Sequence, residues 1–212
     1  MKTNTRFGLS ALCVVLVIAL PAMAYEFPLS ADAIRQAYFL GSGQKGKDSD
    51  FYSKYSHSLG EPKNDPPGSI VTIDTPYLQI AEHSRDTSNY HSQDAQQDFF
   101  DKPAEFRLFL DVYYKPVNDT AAKTTKKKAG SSDSGKILKI RLIQHEKEIS
   151  WRTVESWPFY PFHDAQTSVE RDGEHWEIAC DAALIDSSVL TIKIDIPDGQ
   201  QFETDFDLRE IK

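Results

Sequence analysis

The chemistry of this 212-residue chain must come from six histidines, 32 acids, one free run of aromatic residues and a few clustered cations. His83 and His91 stand near each other in a polar stretch, with Asp86 and Asp94 beside them. Zinc is usually held by tighter patterns, such as His-Glu-x-x-His or paired cysteines, and neither occurs. These histidines therefore read as solvated loop residues, and His57, His145, His163 and His175 show no mutual spacing. Asp48 with Asp50, and Asp94 with Asp98 and Asp101, could offer oxygens to calcium. No loop with a central glycine and a terminal glutamate frames either set. A glycosidase needs two carboxylates across a sugar cleft, which the sequence does not single out. A Gly-x-Ser-x-Gly elbow is absent. Gly41-Ser42-Gly43-Gln44-Lys45-Gly46-Lys47 has the composition of a phosphate loop but follows a helix pattern, not a strand, and lacks the spacing. No catalytic residue, metal or cofactor is expected.

Recognition has better candidates. Trp157-Pro158-Phe159-Tyr160-Pro161-Phe162 offers rigid aromatic faces that can stack on sugars or anchor a partner. Proline would hold them extended. The plainer alternative is that they seal one end of the fold. Arg35 lies beside an apolar helical stripe, where its guanidinium could clamp a carboxylate or simply be solvated. Lys126, Lys127 and Lys128, with Lys123, contrast with an acidic chain and could meet an anionic surface. On a hairpin tip they would also discourage edge-to-edge association.

These residues need elements to place them. Ser30 is a good N-cap, Asp32 suits a first helical turn, and Ala33, Ile34, Ala37, Tyr38 and Phe39 form a helical stripe. The pattern predicts an amphipathic helix over 31–40, ended by Gly41. A short helix is expected within 48–55, and a turn at Asp65-Pro66-Pro67-Gly68. Ser69–Thr75 reads as a strand. After Thr75-Pro76, Tyr77–His83 is expected to continue as an edge strand. Gln93–Asp101 is expected to hold a helical turn.

From Ala104 the period becomes two. Phe106, Leu108, Leu110 and Val112 alternate with Arg107, Phe109 and Asp111, and Lys136–His145 repeats the pattern. The lysine-rich stretch 115–135 joins them as a long hairpin tip. Ile149–Glu155 is expected as one strand. Thr167–Arg171 and His175–Ile178 flank the hairpin dipeptide Asp172-Gly173, and Val189–Ile196 turns at Asp198-Gly199 into a last strand. Strands with tight turns and no strand–helix alternation predict a mainly β fold. That fold is an antiparallel β-sandwich, or an open barrel, with the N-terminal helix docked on it. Residues 25–212 form one domain, helix- and loop-rich over 25–103 and β over 104–212.

Ala33 to Gly41, Phe51 with Tyr55, Pro66-Pro67-Gly68 and Thr75-Pro76-Tyr77 resemble an uncharacterised family of exported bacterial proteins. The resemblance implies export and carries no catalytic residue. The first 24 residues agree with it. Lys2 and Arg6 open the chain, Phe7–Leu20 is apolar, and Ala22-Met23-Ala24 is a small-x-small cleavage site. That is the layout of a secretory signal peptide cleaved after Ala24, and the apolar run is short for a membrane span. A soluble periplasmic or extracellular chain is expected, with no membrane span after cleavage.

The net charge is −8, and cleavage would remove two cations and no acid. Such a chain is not built for general nucleic-acid binding. Cys13 leaves with the signal, so Cys180 stands alone and reads as a buried strand residue. The expected function is a non-enzymatic binding or assembly module for a protein or an envelope polymer. The alternatives are an envelope hydrolase with a loop-built site, and a small-molecule carrier lined by Phe106, Leu110, Leu142 and Trp151.

Overall fold

The structure, a computed structural model, describes residues 24–43, 49–59, 69–113, 138–159, 173–196 and 199–212; the side chains of Ser49, Asp50 and Phe159 are not described. The chain is mainly β. Among the described residues nine strands form two antiparallel sheets. Five belong to the first: β1 (Ser56–Leu59), β2 (Ser69–Asp74), β3 (Glu105–Tyr113), β7 (Gly173–Asp181) and β6 (Arg152–Phe159), ordered β1-β2-β3-β7-β6. The second is ordered β5 (Lys147–Ile149), β4 (Lys139–Gln144), β8 (Val189–Asp195) and β9 (Gln201–Asp207).

Alternation decides which side chains meet. On β3, Phe106, Leu108, Leu110 and Val112 are fully buried, while the residues between them are partly exposed. Ile140 and Leu142 of β4 and Leu190, Ile192 and Ile194 of β8 face them in one core. Each such side chain contributes about 1.5–3 kcal/mol by leaving water. Cys180 lies in the same core. Phe106, Leu110 and Leu142 are packed there, with Trp151 against them and its indole N–H on the Ile140 carbonyl at 3.2 Å.

The helices form a second, smaller core. α1 (Ala31–Gly43) buries Ala33, Ile34 and Ala37 against Tyr77 and Ile80 of α3 (Pro76–Asp86) and Ala95 of α4 (Ser92–Asp101). A short α2 spans Ser49–Ser53. α1 runs past Gly41, which is a close-approach residue and not a helix stop. Its missing Cβ lets α1 lie on the Ala81 carbonyl.

Several sequence expectations are corrected, among them the hairpin through 115–135, whose flanking strands β3 and β4 lie in different sheets. Tyr77–His83 is helix α3, not an edge strand. Thr75 is its N-cap, accepting from the Leu78 amide at 3.2 Å, and Pro76 occupies the first helical position, where its lost donor costs nothing. Gln93–Asp101 is likewise a full helix, whose N-cap position His91 fills, with Asp94 accepting from the His91 amide. Ile149–Glu155 is two strands: the chain leaves the second sheet after Ile149 and enters the first at Arg152. The expected hairpin at Asp172-Gly173 also differs. Gly173 is already in β7, where it pairs with Phe159, and Thr167–Arg171 lies outside the described residues. Gly199 has φ +88°, as the expected turn before β9 requires.

Candidate functional site

The register of the first sheet brings three side chains into one row on its outer face. Asp111 of β3 sits opposite His175 of β7, which sits opposite Trp157 of β6. The row crosses three adjacent strands, so each step is one inter-strand spacing. The Asp111 carboxylate lies 2.6 Å from His175 Nδ1. The Trp157 indole stacks on the imidazole, with ring centroids 4.1 Å apart and planes at 22°. The Phe109 ring lies 6.1 Å from the same imidazole, tilted by 31°. Asp111 thus orients the imidazole, and the imidazole backs one face of the indole. Trp157 is nonetheless 41% exposed. It is a held aromatic plate, not a seal over the core.

Among the described residues β6 carries this plate at the margin of the sheet, and Arg152 to Pro158 are all exposed. A bulge interrupts its pairing with β7 between Thr153 and Glu155. Toward the helices the same outer face becomes ionic. Arg107 bonds Glu105 and Glu177, each at 3.1 Å, and Arg152 bonds Glu105. Asp74, opposite Arg107 on β2, is 5% exposed, and its Oδ1 has no partner among the described residues. Burial, reinforced by the charge of Glu82, pushes its carboxyl up to about 8; Arg107 and Gln79 offset part of this. A cleft of about 490 Å³ lies beside this network, between α3, α4 and β3, with Ile80, Phe99 and Tyr90 in its walls.

A second histidine–carboxylate pair lies at the β4–β5 turn. His145 Nε2 is 2.6 Å from Asp186 Oδ2 and 3.2 Å from Ser188 Oγ. The residue types are those of a serine hydrolase, but the wiring is not. In a nucleophilic triad the serine and the carboxylate use different imidazole nitrogens. Here both meet Nε2, and the cluster ties the turn, where His145 and Glu146 have positive φ, to the 186–188 loop. Among the described residues no group of three His, Cys, Asp or Glu side chains is placed to hold a metal ion. No described helix is long and apolar enough to cross a membrane.

The chain matches no protein-family model, no curated protein and no solved structure.

Of the candidates named from sequence, Trp157 is in the outer-face row. Phe159 ends β6, and its backbone pairs with Gly173. Tyr160, Lys126, Lys127 and Lys128 lie outside the described residues, as do Ala22 and Met23 of the expected cleavage motif. Arg35 is exposed on α1 in a shallow groove with Asp32, Phe39 and Tyr77. All the groove residues belong to α1 and α3, so Arg35 and Trp157 do not share a site. Sequence reasoning missed Asp111 and His175. The available signal was phase: Asp111 occupies an outward position of β3, where a charge is unremarkable until its cross-strand neighbour is known.

Proposed function

We propose that this protein is a non-enzymatic binding or assembly module that engages a protein or other envelope component through the outer face of its five-stranded sheet. The observation that carries this reading is the exposed Trp157 plate, backed by His175 and fixed by Asp111. Proteins seldom spend an ordered stack and a carboxylate to hold a tryptophan in water unless the ring meets something. Amphipathic aromatic residues lose little entropy on docking, which makes such a ring an efficient anchor. The packing of Phe106, Leu110 and Leu142 in the buried core, with Trp151 against it, favours this reading over a carrier. The shared imidazole nitrogen at His145 favours it over a serine hydrolase. The basic, apolar and small-residue order of residues 1–24 supports export, with cleavage after Ala24.

The test is a comparison of two variants. Trp157→Ala should fold and should lose partner retention from an envelope extract. Phe39→Ala, which removes an exposed ring on α1, should keep it. Equal retention by wild type and Trp157→Ala would reject the proposed face.

A further inference from the structure

Among the described residues three of the four sheet edges are short or covered. β1 and β9 lie against each other: His57 Nδ1 is 2.9 Å from Thr204 Oγ1, and the His57 ring stacks on Phe206 at 4.0 Å. β5 has three residues. β6 has eight, pairs only with β7, and exposes side chains on both faces. Its far side has no backbone partner among the described residues.

We infer that β6 is the docking strand for an extended peptide segment that carries lysine or arginine at alternate positions. This deepens the reading of the Trp157 face and rests on it. A peptide added alongside β6 supplies the row of amides that this edge lacks among the described residues, which a polysaccharide does not. Its side chains alternate, so residues i and i+2 fall on the outer face opposite Glu155 and Trp157, themselves two apart. Arg152 is held by Glu105, whereas Glu155 forms no ion pair among the described residues. A cation opposite Glu155 gains a cross-strand ion pair. A second cation two residues along meets the open face of the Trp157 ring, where the quadrupole attracts it.

A second copy of β6 fits less well. Antiparallel self-pairing centred on Glu155 sets carboxylate against carboxylate, and centring on Ser156 sets each Glu155 against a Trp157 with no counter-charge. The bulge before Glu155 and the absent N–H of Pro158 bracket the Glu155–Trp157 segment and restrain indiscriminate pairing.

The probe is a fluorescein-labelled peptide of alternating threonine and lysine, about ten residues long, titrated into the protein by anisotropy. Two controls keep either the charge or the backbone. One is the same peptide N-methylated at alternate amides, and the other replaces lysine by glutamate. The expected result is binding of the first at least about tenfold tighter than of either control, with hydrogen-exchange protection over 152–159. Glu155→Lys should invert the preference toward the glutamate peptide. Equal binding of the N-methylated peptide, or protection elsewhere, overturns the inference. Absence of peptide binding while Trp157→Ala still loses its envelope partner overturns strand addition alone and leaves the binding face standing. A polysaccharide competing at Trp157 without protecting β6 amides does the same.

Discussion

Gly41 of α1 lies against Ala81 of α3 so closely that a Cβ on Gly41 would stand 1.8 Å from the Ala81 carbonyl oxygen. The obstacle is backbone, so it cannot rotate away. Gly41→Ala should therefore part the two helices and cost about 3 kcal/mol, at the upper end for overpacking. Chemical denaturation would report it as a lower midpoint. An unchanged midpoint would mean that the helices do not pack at this distance.

Trp157→Ala should behave oppositely. The ring is 41% exposed and contributes mainly its stack on His175. Removing it should cost about 1 kcal/mol of stability. A loss of several kcal/mol in thermal or urea unfolding would make Trp157 a core residue.

Asp74 should make the fold less stable as pH rises. Its folded carboxyl is pushed up to about 8, far above its ordinary 3.8. The folded state therefore keeps the proton where the unfolded chain has released it. The associated stability is complete below the unfolded value and is lost as pH rises through about 8. The slope approaches about 1.4 kcal/mol per pH unit between those limits. Asp74→Asn, which mimics the neutral carboxyl, should flatten this part of the profile and raise stability at pH 8. Parallel urea titrations of the two proteins from pH 5 to 9 provide the measurement.

His57 should act with the opposite sign. Burial between β1 and β9 holds its imidazole below the ordinary value, against an upward pull from Asp205. The unfolded imidazole takes its proton at about 6.5 and the folded one only at lower pH. Stability is thus present above about 6.5 and is lost as pH falls through the folded value. His57→Gln should remove that acid-side decline, read from melting temperatures between pH 7 and 5.

Cys180 should be inert in the folded protein. Burial, with the charges of Asp181 and Glu105, pushes its thiol up to about 12, so little thiolate exists at pH 8. Iodoacetamide should label it within minutes in denaturant and negligibly without, as intact mass would show. Rapid native labelling would contradict its burial.

Much of the fold was legible because burial on one face writes a two-residue period into the chain. Leu108 and Ile192 announce their strands without knowledge of any partner. Segment 77–83 was not legible as helix from the same evidence. Its deciding feature is local, Thr75 capping Leu78 with Pro76 in the first turn, but a proline after a strand also signals an edge. Gly41 misled in a similar way, since a glycine near a helix end can stop the helix or admit a neighbour. Only the position of Ala81 distinguishes the two.

The sequence by itself determined that the later half is mostly sheet and that Cys180 is a buried strand residue, but it set Trp157 in an aromatic segment after the strand that in fact contains it. Tertiary structure alone decided that Ile149 and Arg152 serve different sheets and that Asp111, His175 and Trp157 share a row. The physical reason is range. Alternation depends on residues two apart, whereas register is fixed by which inward side chains of distant strands must interlock. Burying Leu108 against the second sheet, with Ile178 opposite it, carries Asp111 to His175 on the other face as a geometric consequence.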